Sequence, residues 1–236
     1  MARVERAIIM AAGLGNRMRP VTNTIPKPLI PVNGKRMIDT VIDGLHANGI
    51  DEIYVVVGYL KDKFQALKDK YPDICLIDNP YYDTCNNIAS MYVARNYLEN
   101  AIVLDGDQII FNTTILNPEF EYSGYNSVYV KNTTDEWLQQ VDENGFVTSC
   151  SRNGGKEGWQ LYSISRWNSE DAKKLKKYIE VEFEEKKNRQ IYWDDVAMFC
   201  YPAEFQLKVY PMEKDDIIEV DSFAELKQLD ETYTEE

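Results

Sequence analysis

The stretch Ala7-Ile8-Ile9-Met10-Ala11-Ala12-Gly13-Leu14-Gly15-Asn16-Arg17-Met18-Arg19-Pro20 decides the fold. Ala7 to Ala11 is a short apolar run that reads as a buried strand, and the small residues and two glycines after it force a tight turn. Downstream, Met37, Ile38, Val41, Ile42 and Leu45 recur at helical spacing, and Asn48-Gly49 closes that helix. Ile53 to Val57, Ile74 to Ile77 and Ala101 to Leu104 repeat the strand pattern. Helices are expected around Phe64 and Leu67 and from about Asn86 to Tyr97. Such alternation predicts a parallel sheet with helices on both faces.

Beyond about residue 110 the pattern changes. Ser127 to Lys131, Leu138 to Val141, Phe146 to Ser149 and Gln160 to Ile164 are short strand candidates, with Glu143-Asn144-Gly145 as a connecting turn. A charged helix covers roughly Ser169 to Lys187, and Ile217 to Val220 is a last strand. Ser222 and Glu225 then have the spacing of a capping box. The expectation is an α/β protein: a Rossmann-like, mostly parallel sheet with an inserted mixed-sheet portion for a second substrate. One domain is expected over 1–236, with a nucleotide-binding half to about 110 and an acceptor-binding half over about 111–236.

Composition excludes several classes. The 236 residues are 44% hydrophobic, enough for a full core and too apolar for disorder. The chain has no apolar run long enough to span a bilayer and no secretory leader pattern, so a cytoplasmic protein is expected. Four dispersed cysteines (Cys75, Cys85, Cys150, Cys200) read as reduced thiols. With 26 basic and 39 acidic side chains the net charge is -13, which disfavours nucleic acid and anionic membrane as partners. The balance is uneven, because residues 1–36 hold seven basic side chains and one acidic one. A local cationic segment suits a compact polyanion such as a nucleotide triphosphate.

A Gly-rich turn after the first strand lets backbone N–H groups approach phosphate oxygens. Met18 stands where a dinucleotide fingerprint has its third glycine, and no Gly-Lys-Ser/Thr follows, so the turn is neither that fingerprint nor a P-loop. Arg17 and Arg19 lie inside it, and Pro26-Lys27-Pro28-Leu29 brings a Pro-flanked lysine close behind. Asp105-Gly106-Asp107 and Glu219-Val220-Asp221 end two strands, where ligands gather in open α/β sheets. Carboxylates meeting there suit Mg²⁺. The expectation is that Asp105 and Asp107 fall on opposite sides, as Val220 and Asp221 do, so that one of each pair points at the site. Asp105 then reads as a turn residue, while Glu219 is either a ligand or solvent-facing. Sixteen tyrosines and four tryptophans are mostly core. Trp137, beside Asp135 and Glu136, and Tyr192-Trp193-Asp194 combine aromatic faces with carboxylates, the chemistry that holds a quaternary ammonium. His46 is the only histidine and reads as a surface residue, which removes a Ser-His-Asp triad and a histidine metal site.

Ala-Ala-Gly-x-Gly-x-Arg-x-x-Pro over residues 11–20, with Pro26-Lys27-Pro28-Leu29, resembles the sugar-phosphate nucleotidyltransferase signature. Val57-Gly58-Tyr59-Leu60, Asn86-Asn87-x-x-Ser90 and Tyr192-Trp193-Asp194 are similar to the bacterial CTP:phosphocholine cytidylyltransferases, over Ala7 to about Leu229. The resemblance implies that Ala11, Ala12, Gly13, Gly15 and Arg17 wrap the nucleotide, with Asn86, Asn87 and Ser90 near base or ribose. It implies catalytic roles for Lys27, Arg17 and Asp107, and a magnesium site on Asp107 and Asp221 with Glu219 as a further candidate. The acceptor would meet Trp137, Tyr192, Trp193 and Asp194. The implied reaction joins CTP to phosphocholine, giving CDP-choline and pyrophosphate. Three alternatives stand beside it: another phosphorylated amine or an aminoalkylphosphonate, a sugar 1-phosphate, or a non-catalytic nucleotide-binding module.

Overall fold

The computed structural model describes residues 1–234, and a nine-stranded sheet forms its centre. The first half supplies four parallel strands, β1 (Arg6–Ala11), β2 (Glu52–Val57), β3 (Cys75–Asp78) and β4 (Ala101–Asp105), in the order β3-β2-β1-β4. Along β1, Ala7, Ile9 and Ala11 enter one core and Ile8 and Met10 the other, as period-two alternation requires. Helices α1 (Met37–Ala47) and α2 (Gln65–Lys70) cover the first face, through Ile38, Val41, Ile42, Leu45 and Leu67. On the second face lie α3 (Ile88–Ala94) and α4 (Ser169–Glu180), through Ile88, Met91, Leu175 and Ile179.

The second half continues the same sheet. Strand β5 (Gln108–Ile110) leaves it, and β6 (Gly124–Val130), β7 (Leu138–Val141), β8 (Val147–Ser151) and β9 (Gly158–Trp167) return to it. β9 runs antiparallel to β4, with Ile164 opposite Leu104, and so welds the two halves together. The β7–β8 hairpin turns through Gly145, whose φ of 81° needs a residue without Cβ. Strand β10 (Lys208–Pro211), not expected from sequence, pairs with β6 at an outer edge, where a terminal proline is tolerated. β11 (Ile217–Glu219) pairs with β5 as a separate ribbon that sets Glu219 opposite Gln108. The capping box on α5 (Phe223–Leu229) forms as expected, with both Ser222 and Glu225 engaged. The charged helix expected to Lys187 stays α-helical only to Glu180. It then widens to a π-turn over Val181–Glu185, where buried Glu182 is held by Lys186, Asn188 and Tyr201.

Trp193 belongs to the second core. It is 4% exposed and packs on Tyr125 and Trp167 at ring separations of 6.3 and 5.9 Å. Trp193→Ala should therefore destabilise the fold by about 3–5 kcal/mol, read as a lower urea midpoint at unchanged slope. A loss confined to acceptor binding would return Trp193 to the site.

Candidate active site

The site grows from the turn after β1. Gly15 adopts φ 61° and opens a 3₁₀ turn at Asn16–Met18. A Cβ there would lie 2.9 Å from Thr22 Cγ2 and 3.2 Å from Lys27 Cβ, so the loop closes on the lysine only because this residue is glycine. Gly13 has open space around it and presents bare backbone to the cleft. Thr22 donates to the Gly15 carbonyl, while Tyr59 donates from its hydroxyl to Thr22 and from its N–H to Ala12. The loop is thus braced from the end of β2.

Lys27 is buried and donates to Asp107 at 2.5 Å and to Asp221 at 3.0 Å. Burial alone would lower the ammonium pKa, but the two carboxylates outweigh it and raise it. Arg17, far more exposed, reaches Asp221 at 3.0 Å. A cleft of about 340 Å³ holds Gly13, Gly15, Arg17, Lys27, Asp107 and Glu219 together. Of the seven basic residues of the N-terminal segment only Arg17 and Lys27 line it. Arg3, Arg6, Lys35 and Arg36 pair with Glu119, Glu52, Asp43 and Asp39 away from it.

The carboxylates are arranged differently from the sequence expectation. Oxygen atoms of Asp105, Asp107 and Glu219 all lie within 4.8 Å of one another, whereas Asp221 is taken up by Lys27 and Arg17. The expectation that Asp105 and Asp107 part company misapplied strand alternation, because residues two apart share a face; here β4 stops at Asp105 and the chain turns at Gly106 before β5 begins. Gly106 sits tightly against Pro28, Ile9 and the Met10 carbonyl, which fixes that turn. Asp105 is therefore no idle turn residue, and Glu219 does not face solvent. Burial first, then Asp107, raises Asp105 well above the usual carboxylate range, against a hydrogen bond from Ser163. Glu219 is raised by burial and by Asp107, Asp105 and Asp221. Three oxygen donors that destabilise one another's charge fit a divalent oxygen-seeking cation such as Mg²⁺.

On the other side of the loop, Asn86, Asn87 and Ser90 share a second cleft with Ala12 and Gly13. Asn87 is the N-cap of α3 by position, yet its side chain accepts from Trp193 N–H at 2.9 Å instead of capping the helix. Asn86 donates to the Gln190 carbonyl, and Ser90 accepts from Asn79. This cleft is stitched to the segment that carries Tyr192 and Asp194. Asp194 accepts from the Tyr125 hydroxyl at 2.9 Å, and burial pushes its pKa up to about 7. Tyr192 is exposed and meets Trp137 edge-on at 5.8 Å. The sequence reading missed Phe199, 5.3 Å from Trp137, and Arg152, which pairs with buried Asp195. Asp195 and Phe199 stand four residues apart on a helical turn, a spacing that would have placed them together. His46 is exposed against Tyr71, and the four cysteines are free. No helix among the described residues is long and apolar enough to cross a membrane.

Two variants probe this arrangement. Asp105→Asn should raise the metal-free melting temperature, because it removes one of the mutually repelling charges. It should also weaken Mg²⁺ binding at least about tenfold, as severely as Asp107→Asn, by magnesium titration. A mild Asp105→Asn would restore the turn reading. For Asp194, a raised pKa means the folded state holds a proton that the unfolded state has lost. Its contribution is complete below the ordinary carboxylate value and is lost as pH rises toward about 7. Asp194→Asn should accordingly flatten the fall in ligand-free stability between pH 5 and pH 8, measured by urea unfolding at each pH.

Residues 7–166 match the family model of the MobA-like NTP transferase domain. The chain is 38% identical over 234 residues to a 2-aminoethylphosphonate cytidylyltransferase of Lancefieldella rimae, covering 98% of this chain and 94% of the relative. It is 34% identical over 231 residues to a choline-phosphate cytidylyltransferase of Streptococcus pneumoniae, covering 98% and 99%. The solved structure of the pneumococcal CTP:phosphocholine cytidylyltransferase superposes with a TM-score of 0.90, at 34% identity over 98% of this chain and 99% of that one. The chain belongs to the MobA-like NTP transferase family and is a nucleotidyltransferase enzyme.

Proposed function

We propose that the protein transfers the cytidylyl group of CTP to the phosphoryl or phosphonyl oxygen of a small acceptor that ends in an ammonium. The observation that carries this reading is Lys27, buried beneath the Gly-rich loop and pinned between Asp107 and Asp221. A nucleotide-binding module needs no such charge set at its phosphate end. Phosphocholine and 2-aminoethylphosphonate are the two acceptor chemistries that the relatives' names suggest, and both are zwitterions of this shape. A sugar 1-phosphate is the weaker candidate, because the Trp137–Tyr192 pair that we assign to the acceptor end offers ring faces suited to a cation.

The chemistry asked of the protein is modest. An acceptor phosphoryl or phosphonyl oxygen already carries negative charge at neutral pH, so no general base is required. The oxygen attacks the α-phosphorus in line; the new P–O bond forms as the α–β bond breaks, and pyrophosphate leaves. Catalysis reduces to alignment and neutralisation of oxygen charge. The backbone of Gly13 to Gly15 holds the triphosphate, Lys27 places its ammonium between the two anionic substrates, and Arg17 reaches in from solvent. Mg²⁺ held by Asp105, Asp107 and Glu219 would supply charge neutralisation for the phosphates. Asn86 and Ser90 face the nucleoside end, and Asn87 positions the acceptor segment through Trp193.

The test is pyrophosphate release, with each of the four NTPs set against a panel of phosphorylated and phosphonylated amines and one sugar 1-phosphate. CTP with an amine acceptor should be the productive pair. Lys27→Ala should lower kcat on that pair by about 10²-fold or more, and the melting temperature should fall with it as Asp107 and Asp221 lose the cation they share. Release with a sugar 1-phosphate alone, or with no acceptor at all, would overturn the assignment.

A further inference from the structure

Trp137, Tyr192 and Phe199 make an aromatic corner with ring planes nearly perpendicular, at 87° and 79° to Trp137. The corner already carries a cation. The guanidinium carbon of Arg152 lies 3.7 Å from the ring centre of Phe199 and 5.8 Å from that of Trp137. Its Nε and Nη2 donate to one oxygen of Asp195 at 2.8 and 2.6 Å, and the other oxygen of Asp195 accepts from Tyr192 N–H at 2.9 Å. Both oxygens of this buried carboxylate are thereby committed. The corner therefore presents a guanidinium to a ligand, and no free acid from Asp195. The turn that follows Arg152 is tied to the strand approach at Thr134. Gly155 bridges to Thr134, and Gly154, at φ 66°, leaves no room for a Cβ beside the Thr134 carbonyl.

An ammonium acceptor meets this corner in one of two ways. A trimethylammonium has no N–H to donate and depends on aromatic faces, yet Phe199 is capped by Arg152 and Trp137 is shared with it. A primary ammonium is a compact charge with three donors and is satisfied by carboxylate. Glu136, next to Trp137, is exposed, and its carboxylate makes no hydrogen bond among the described residues. We propose that Arg152 is a specificity-determining residue, which excludes quaternary ammonium from the aromatic corner and selects acceptors with a primary ammonium. The proposal rests on cytidylyl transfer to an ammonium-bearing acceptor and deepens it by naming the class.

The experiment compares kcat/KM, at saturating CTP, for two matched pairs. These are 2-aminoethylphosphonate and phosphoethanolamine, each against its N-trimethyl derivative. Wild type should favour the primary amine in both. Arg152→Met combined with Asp195→Asn, which leaves no buried charge unpaired, should shrink that preference by about 30-fold, the worth of one desolvated cation–π contact. The change should fall on the KM of the trimethylated acceptor, with the KM for CTP unmoved. Arg152→Gln provides a second neutral variant should the double one fail to fold. Arg152→Lys, which keeps the charge, should keep the preference. A wild type that favours the trimethylated member, or a ratio that neutral variants leave unchanged, overturns the role of Arg152 and leaves cytidylyl transfer standing. So does a lysine variant as permissive as the neutral ones. Inactivity toward all four acceptors would overturn the functional reading itself.

Discussion

Carboxylates crowded at the end of a sheet repel one another, and the single ammonium of Lys27 is what holds this group together. Asp107 and Asp221 come from different strands, β5's approach and β11's exit, and they meet because the same nitrogen bonds both. Removing that nitrogen would leave Asp105, Asp107, Glu219 and Asp221 facing each other in a half-buried cleft, at a cost of several kcal/mol for each uncompensated buried charge. The placement of Lys27 depends in turn on the Gly-rich loop. Gly15 must lack a Cβ for Thr22 and Lys27 to close on it, and Tyr59 pins that closure from the end of β2. The loop, the lysine and the acids form one mechanical unit.

That unit also explains why the β5–β11 ribbon stands apart from the main sheet. Its register sets Glu219 opposite Gln108, which brings a carboxylate from the far end of the chain beside Asp107. Asp105 and Asp107, two residues apart, fall on one side as strand geometry allows, and the tight turn at Gly106 against Pro28, Ile9 and the Met10 carbonyl leads the chain from there into β5.

The parts of this design that live in local sequence were legible. The apolar run of β1, the helical spacing of α1, the Asn-Gly turn before β8 and the Ser222–Glu225 capping box each encode their structure within a few residues, and each forms at the expected place. The α/β sheet with helices on both faces followed from their order. What failed depended on contacts that sequence does not carry. Asp105 is the exception, since residues two apart on a strand share a face and sequence alone already allowed it beside Asp107. Trp193 looked like Tyr192 in sequence, but Tyr125 and Trp167 claim it for the core. Asn87 looked like a helix cap and serves the backbone of Trp193 across 106 positions of chain. The basic N-terminal segment suggested one cationic patch, whereas most of its charges are neutralised locally.

The two halves of the site obey opposite electrostatic rules. At the nucleotide end, acids are left short of cations: Lys27 and Arg17 serve Asp107 and Asp221, and Asp105 and Glu219 keep raised pKa values. At the acceptor end, Arg152 and Asp195 satisfy each other before any ligand arrives. On the proposed function, a divalent cation arriving with the triphosphate would replace the protons that burial and mutual repulsion favour on Asp105 and Glu219, while backbone N–H groups of the Gly-rich loop would take the phosphates. On the same proposal, an ammonium would find a corner whose charges are balanced, so its affinity would come from shape, from the exposed ring of Tyr192 and from carboxylates not yet paired. The end proposed for the nucleotide is poised by repulsion, which a magnesium-bound triphosphate would relieve. The end proposed for the acceptor is poised by neutrality, so that small differences in the size and hydrogen bonding of a cation would decide which acceptor is used.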